Sequence, residues 1–128
     1  MKKILIWTLT AGCLVFCGVL IYVFTVIYRE VDRISGIAKT EFKENSVESL
    51  IKLIESNDHC FAEKNTAIWA LGQFADEKAL PFLEMLDLEA VPDDPCNRQK
   101  VLCKREVQRA IKWCSMGNAT SWMYKKIK

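Results

Sequence analysis

His59 and Cys60 stand side by side, and His59 is the only histidine of the chain. An imidazole beside a thiol can activate the sulfur for nucleophilic attack. Together with Cys96 and Cys103, the same two residues make a possible four-ligand set for zinc. Neighbouring residues rarely ligate one ion together, and there is no Cys-x-x-Cys pair. A thiol or metal-dependent protein built on His59 and these cysteines is therefore the alternative, and no cofactor is expected. Gly-rich phosphate loops, nucleophile elbows and paired-carboxylate motifs are missing from the sequence, so it does not read as an enzyme. Asn118-Ala119-Thr120 matches the N-glycosylation acceptor, which has meaning only in a eukaryotic secretory setting.

The elements that must position these side chains begin with a membrane segment. From Ile4 to Tyr28 the chain has 25 residues without Asp, Glu, Lys or Arg. As a helix they cover roughly 37 Å, enough for a hydrocarbon core of about 30 Å. Lys2 and Lys3 precede the run, Arg29 and Glu30 follow it, and Trp7, Tyr22 and Tyr28 lie towards its ends. The apolar region of a cleaved signal peptide spans only about 7–15 residues. Thr10-Ala11-Gly12-Cys13 resembles a lipidation site, but apolar rather than polar residues follow it. The segment reads as an uncleaved single-pass signal anchor, with Cys13 and Cys17 as small apolar residues of its helix.

Residues 29–128 number 100, enough for one small domain and too few for most multi-domain enzymes. All 16 acids lie there with 16 of the 18 bases, so this part is neutral overall. The neutrality averages two unlike stretches, net −6 over 76–94 and net +8 over 98–128. A basic stripe near Trp113, Trp122 and Tyr124 invites nucleic acid or anionic lipid. A solvated face balancing its acidic neighbour explains it as well, and a domain outside the cell leaves no nucleic acid to bind.

Periodicity in this part is helical throughout, so the fold class is all-α. Asn45 caps a first helix with Glu48 in capping-box position, and Val47, Leu50, Ile51 and Ile54 share one face. Ala67, Ala70, Leu71 and Phe74 repeat that spacing in a second helix. Asp76 caps a third that carries Ala79, Leu83 and Leu86, with Pro81 expected to bend it. Cys103, Val107, Ala110, Ile111 and Cys114 form the stripe of a fourth, stopped by Gly117-Asn118. The expected divisions are an anchor over 1–28, a charged linker or helix extension over 29–44, a repeat domain over 45–116 and a tail over 117–128.

Leu50 and Leu53 match Leu80 and Leu83 at an offset of 30, and Lys64, Ala67, Ala70 and Leu71 match Lys104, Val107, Ala110 and Ile111 at 40. Helix pairs repeating in this way, with an insertion between Leu88 and Gln99, predict a short α-solenoid of about two helical pairs. The turn after the first helix and the insertion then share an edge, which brings Cys60, Cys96 and Cys103 together. Cys103 and Cys114 are about 16 Å apart along a helix and cannot pair. Cys96–Cys103 is the preferred disulfide, closing a short loop worth about 2–3 kcal/mol. Disulfides belong to oxidising compartments, so the C-terminal domain is expected on the extracytoplasmic side, periplasmic or extracellular.

The run Lys64–Glu84, with Ala70-Leu71-Gly72, the Asp76 cap and Ala79-Leu80-Pro81-x-Leu83, resembles a HEAT-like repeat of the phycobilisome-lyase type. The likeness is specific over 64–86, weaker over 46–56 and 101–114, and absent over 1–44. It implies helical pairs used for protein–protein contact, and no chromophore-site residue matches. In such pairs the second helices form the concave face. Here they would present Trp69, Gln73, Arg105, Arg109, Lys112 and Trp113 as one aromatic and basic surface, and Trp and Arg are favoured interface anchors. The expected protein is a non-catalytic, membrane-tethered interaction module. Its partner is another protein, membrane-associated or extracytoplasmic, and residues 4–28 hold the membrane. A structural subunit of a membrane complex is the further alternative.

Overall fold

The computed structural model describes residues 2–88 and 96–127, with side chains described from residue 6 onward. The inserted stretch expected between Leu88 and Gln99 therefore falls mostly outside the described residues. The elements are α1 (Lys2–Phe42), α2 (Ser46–Glu55), α3 (Phe61–Phe74), a 3-10 turn (Glu77–Ala79), α4 (Leu80–Leu88), α5 (Lys104–Met116) and a second 3-10 turn (Ser121–Tyr124). Among the described residues there is no strand. The chain divides into two compact units, Met1–Glu30 and Val31–Lys128.

The first unit is the apolar part of α1. One helix over this region is long and apolar enough to cross a membrane, and none of its apolar window is buried. Trp7, Leu14, Val15 and Tyr22 are exposed along it. Its hydroxyls turn inward on the helix: Thr10 Oγ1 donates to the Ile6 carbonyl at 3.0 Å, and Thr25 Oγ1 to the Ile21 carbonyl at 2.7 Å. A hydroxyl satisfied within its own helix is what hydrocarbon surroundings require.

The second unit begins inside the expected linker. Val31, Ile34, Ser35 and Ala38 are fully buried at the i, i+3, i+4, i+7 spacing of a packed helical face. The helix extension, not a spacer, is what forms, because those four positions carry small or apolar side chains between the charges. Lys43 ends it in the left-handed region, φ 56°, with its N–H donating to the Lys39 carbonyl at 2.9 Å.

Asn45 caps α2 as the sequence predicts, its Oδ1 accepting from Glu48 N–H at 3.0 Å. On α2 the buried apolar residues are Val47, Leu50, Leu53 and Ile54, and Ile51 is half-buried. The apolar face is thus rotated towards Leu53. Asp76 accepts from Lys78 N–H at 3.1 Å, and the chain passes from a 3-10 turn into α4 at Leu80. Pro81 comes in the first turn of α4, where its missing N–H breaks no helical bond. Pro81 thus lies just after the junction of the two helix types.

Packing brings α2 against α3, α4 against α5, and α3 against α5. Cys103 stands at the N-cap of α5 and is buried like Val107, Ala110 and Cys114, while Ile111 is half-buried. The tail also belongs to the packed unit. Tyr124 is fully buried, edge-on to Phe74 with ring centroids 5.7 Å apart. The Ile127 carbonyl accepts from Lys39 Nζ at 2.6 Å and from Ser46 Oγ, which joins the chain's end to α1 and α2.

Candidate functional site

The expected surface lies on α3 and α5, whose closest approach is at Gly72. A Cβ at Gly72 would meet Trp113 Cε3 at 2.9 Å and Ala110 Cα at 3.0 Å, so hydrogen is the only side chain this crossing admits. Trp113 is thereby seated on α3 with its ring half-buried. The Arg109 guanidinium lies 5.8 Å from the Trp113 ring centroid, and its Nη1 is 3.3 Å from Glu106 Oε2. Arg105 and Lys112 are exposed, while Trp69 is half-buried. The structure thus brings together Arg109 and Trp113, and holds Trp113 against the second helix.

Gln73 does not belong to that surface. It is 5% exposed, and its Oε1 accepts from Thr120 Oγ1 at 2.9 Å and from Asn118 Nδ2 at 3.3 Å. The tail folds back over this side of α3, so the amide holds residues 118–120 and is closed to a partner. Asn118, the acceptor residue of the glycosylation motif, is half-buried in the same contact.

The cysteine pair occupies the start of α5. Cys96 and Cys103 stand at disulfide distance with Cα atoms 5.5 Å apart, while Cys13, Cys17, Cys60 and Cys114 are not disulfide-bonded. Asn65, fully buried on α3, organises the segment between the paired cysteines. Its Nδ2 donates to the Phe61 carbonyl at 2.8 Å, the Arg98 carbonyl at 3.1 Å and the Val101 carbonyl at 2.8 Å. Its Oδ1 accepts from Cys103 N–H at 2.8 Å. One side chain therefore replaces a strand or helix partner for a stretch of irregular backbone. The sequence offered one signal, an Asn in the middle of a helix, where this residue type is disfavoured unless its amide has a task.

His59 contacts two carboxylates, Glu41 and Glu63. His59 Nε2 is 2.8 Å from Glu41 Oε2, and Nδ1 is 3.1 Å from Glu63 Oε2. Burial works against the imidazolium, but hydrogen bonds and charge from Glu41 and Glu63 outweigh it and raise the His59 pKa above its ordinary value. The Glu63 carboxyl is lowered, chiefly by its bond to His59, against a desolvation cost and with help from the backbone and thiol of Cys60. Both ring nitrogens are committed to carboxylates, which leaves none to take a proton from sulfur. Of the four residues in the zinc set, His59 is held in this clamp and Cys96 stands at disulfide distance from Cys103. Among the described residues no three His, Cys, Asp or Glu side chains form a metal-binding group.

Comparison with protein-family models, curated proteins and solved structures finds no match to this chain.

Proposed function

We propose that this chain is a membrane-tethered interaction module, anchored through residues 4–28 and binding another protein through the α5 face of a short HEAT-like helical stack. The observation that carries this is the set of side chains around Trp113. Gly72 fixes the indole, Arg109 lies over its ring, and Arg105 and Lys112 stand exposed beside them. Trp and Arg are over-represented among the residues that carry most of the binding energy at protein interfaces. The basic character of the face calls for an acidic partner surface.

The alternation of helix pairs, α2 with α3 and α4 with α5, supports the HEAT-like stack. The apolar run of α1 supports membrane tethering, as a signal sequence would also supply, and the cysteine pair supports an extracytoplasmic domain. Trp69 joins the face as its outer edge, and Gln73 is left out of it.

A photo-activatable residue in place of Lys112, in the full chain in native membranes, tests the binding face. One discrete adduct is expected there, and none from the same group placed at the exposed Lys52 on α2. Equal adducts at both positions, or none at 112, would reject the α5 face.

A further inference from the structure

The cysteine pair lines a cavity of about 150 Å³ together with Arg98, Arg105 and Glu106. The two sulfurs differ in access. Cys103 keeps 2% of its surface, whereas Cys96 is half-buried, so an incoming reagent meets Cys96 first. The charges also differ in their commitments. Glu106 turns to Arg109, with Nη1 to Oε2 at 3.3 Å. Among the described residues no carboxylate pairs with Arg98 or Arg105. Among the described residues, the cavity beside the sulfurs is therefore flanked by two guanidinium groups without a carboxylate partner.

We propose that Cys96–Cys103 is an exchangeable disulfide that oxidises small anionic thiols, with Cys96 the sulfur attacked and Cys103 the leaving thiolate. The proposal goes beyond the interaction module and does not rest on it. In the first step the thiolate of the incoming molecule bonds to Cys96 Sγ as the Cys96–Cys103 bond breaks. The electron pair leaves on Cys103 Sγ. In the second step another thiolate attacks the incoming sulfur of that mixed disulfide, releasing the small-molecule disulfide and leaving Cys96 as thiolate. Two electrons pass from the two small thiols to the protein pair, and the protons those thiols gave up to water balance the two cysteine sulfurs.

The arginines act at both ends of the first step. Arg98 and Arg105 draw a carboxylate or sulfonate into the cavity, and they stabilise the charge that develops on Cys103. That charge forms at the N-cap of α5, which has no side-chain cap, so the first N–H groups of a 13-residue helix add to the stabilisation. A leaving thiolate stabilised in this way departs faster.

The full chain in detergent micelles is exposed in turn to 2-mercaptoethanesulfonate, 2-mercaptoethanol and cysteamine, at matched thiolate concentration. Acid quenching and peptide mass spectrometry read the rate and the site of adduct formation. At low salt the sulfonate should react at least about tenfold faster than cysteamine, with 2-mercaptoethanol between, and the spread should collapse in molar salt. The adduct should be on Cys96. Arg98→Gln and Arg105→Gln should each shrink the spread several-fold, while Arg98→Lys retains it. Arg98 is exposed and outside the helices, so its variants test the charge without threatening the fold. A flat or reversed ranking, adduct on Cys103, or exchange no faster than global unfolding would each overturn the proposal.

Discussion

Asn65 carries more of the domain's order than its residue type announces. It is buried in mid-helix, and its amide group joins four backbone groups, three of them beyond residue 97. Asn65→Leu would leave the Arg98 and Val101 carbonyls and the Cys103 N–H without that partner. A loss of about 2–4 kcal/mol is expected, read as a lower urea midpoint at unchanged slope. His59 works at the same scale with a pH-dependent sign. Its pKa is raised in the folded chain, so its contribution is fully present below the unfolded value and fades as pH rises through the folded one. The Glu63 carboxyl is lowered, so its share is present above the unfolded carboxyl value and fades as pH falls through the folded one. The clamp is therefore strongest in mildly acidic solution. The stability gap between the native chain and His59→Gln should narrow on going from about pH 6 to about pH 9. The gap itself should stay near or below about 1 kcal/mol, because Glu41 and Glu63 are partly exposed.

At the scale of elements, what the sequence made legible was local. The Asn45 and Asp76 caps, the α3 stripe of Ala67, Ala70, Leu71 and Phe74, and the Gly117 stop all follow from spacing and residue type, and all are present. The misses are contacts made over long sequence separations. Gln73 was placed on an outer face because its own helix says nothing of Thr120, 47 residues later. Ile51 and Leu53 are both apolar on α2, and only the position of α3 decides which one is buried. The start of the domain at Val31 was obscured by the charges that flank the buried Ile34 and Ala38. Gly72 shows how such a long-range fact becomes testable. Removing a mid-helix glycine would normally stabilise an exposed helix by about 1 kcal/mol. Here a side chain runs into Trp113 and the Ala110 backbone, so Gly72→Val should destabilise by about 3 kcal/mol. Trp113 should move with it, which the indole emission maximum of a variant lacking the other tryptophans would report.

At the scale of the whole molecule, the expectation that the helical domain faces an oxidising compartment can be decided with a residue the chain already carries. Cys60 is exposed, Cys114 is buried, and Cys96 and Cys103 stand together. Cys13 and Cys17 lie in the apolar run, which a charged reagent does not enter if that helix crosses the membrane. Cys60 is thus the one free, exposed cysteine among the described residues of the second unit, and it reports which side of the membrane that unit occupies. A membrane-impermeant maleimide applied to intact cells should add one label per chain, and Cys60→Ser should abolish it. Denaturing the unreduced chain should then expose four thiols, rising to six after reduction, because the chain has six cysteines and four are outside the disulfide pair. Labelling that appears only after the membrane is opened would place the domain in the reducing compartment. In that event the Cys96–Cys103 pair would be met as two thiols, and both the extracytoplasmic partner and the oxidation of small thiols would be excluded together. A label at Cys60 in intact cells, with six thiols counted before reduction, would separate them: the topology would stand, and the disulfide would fall.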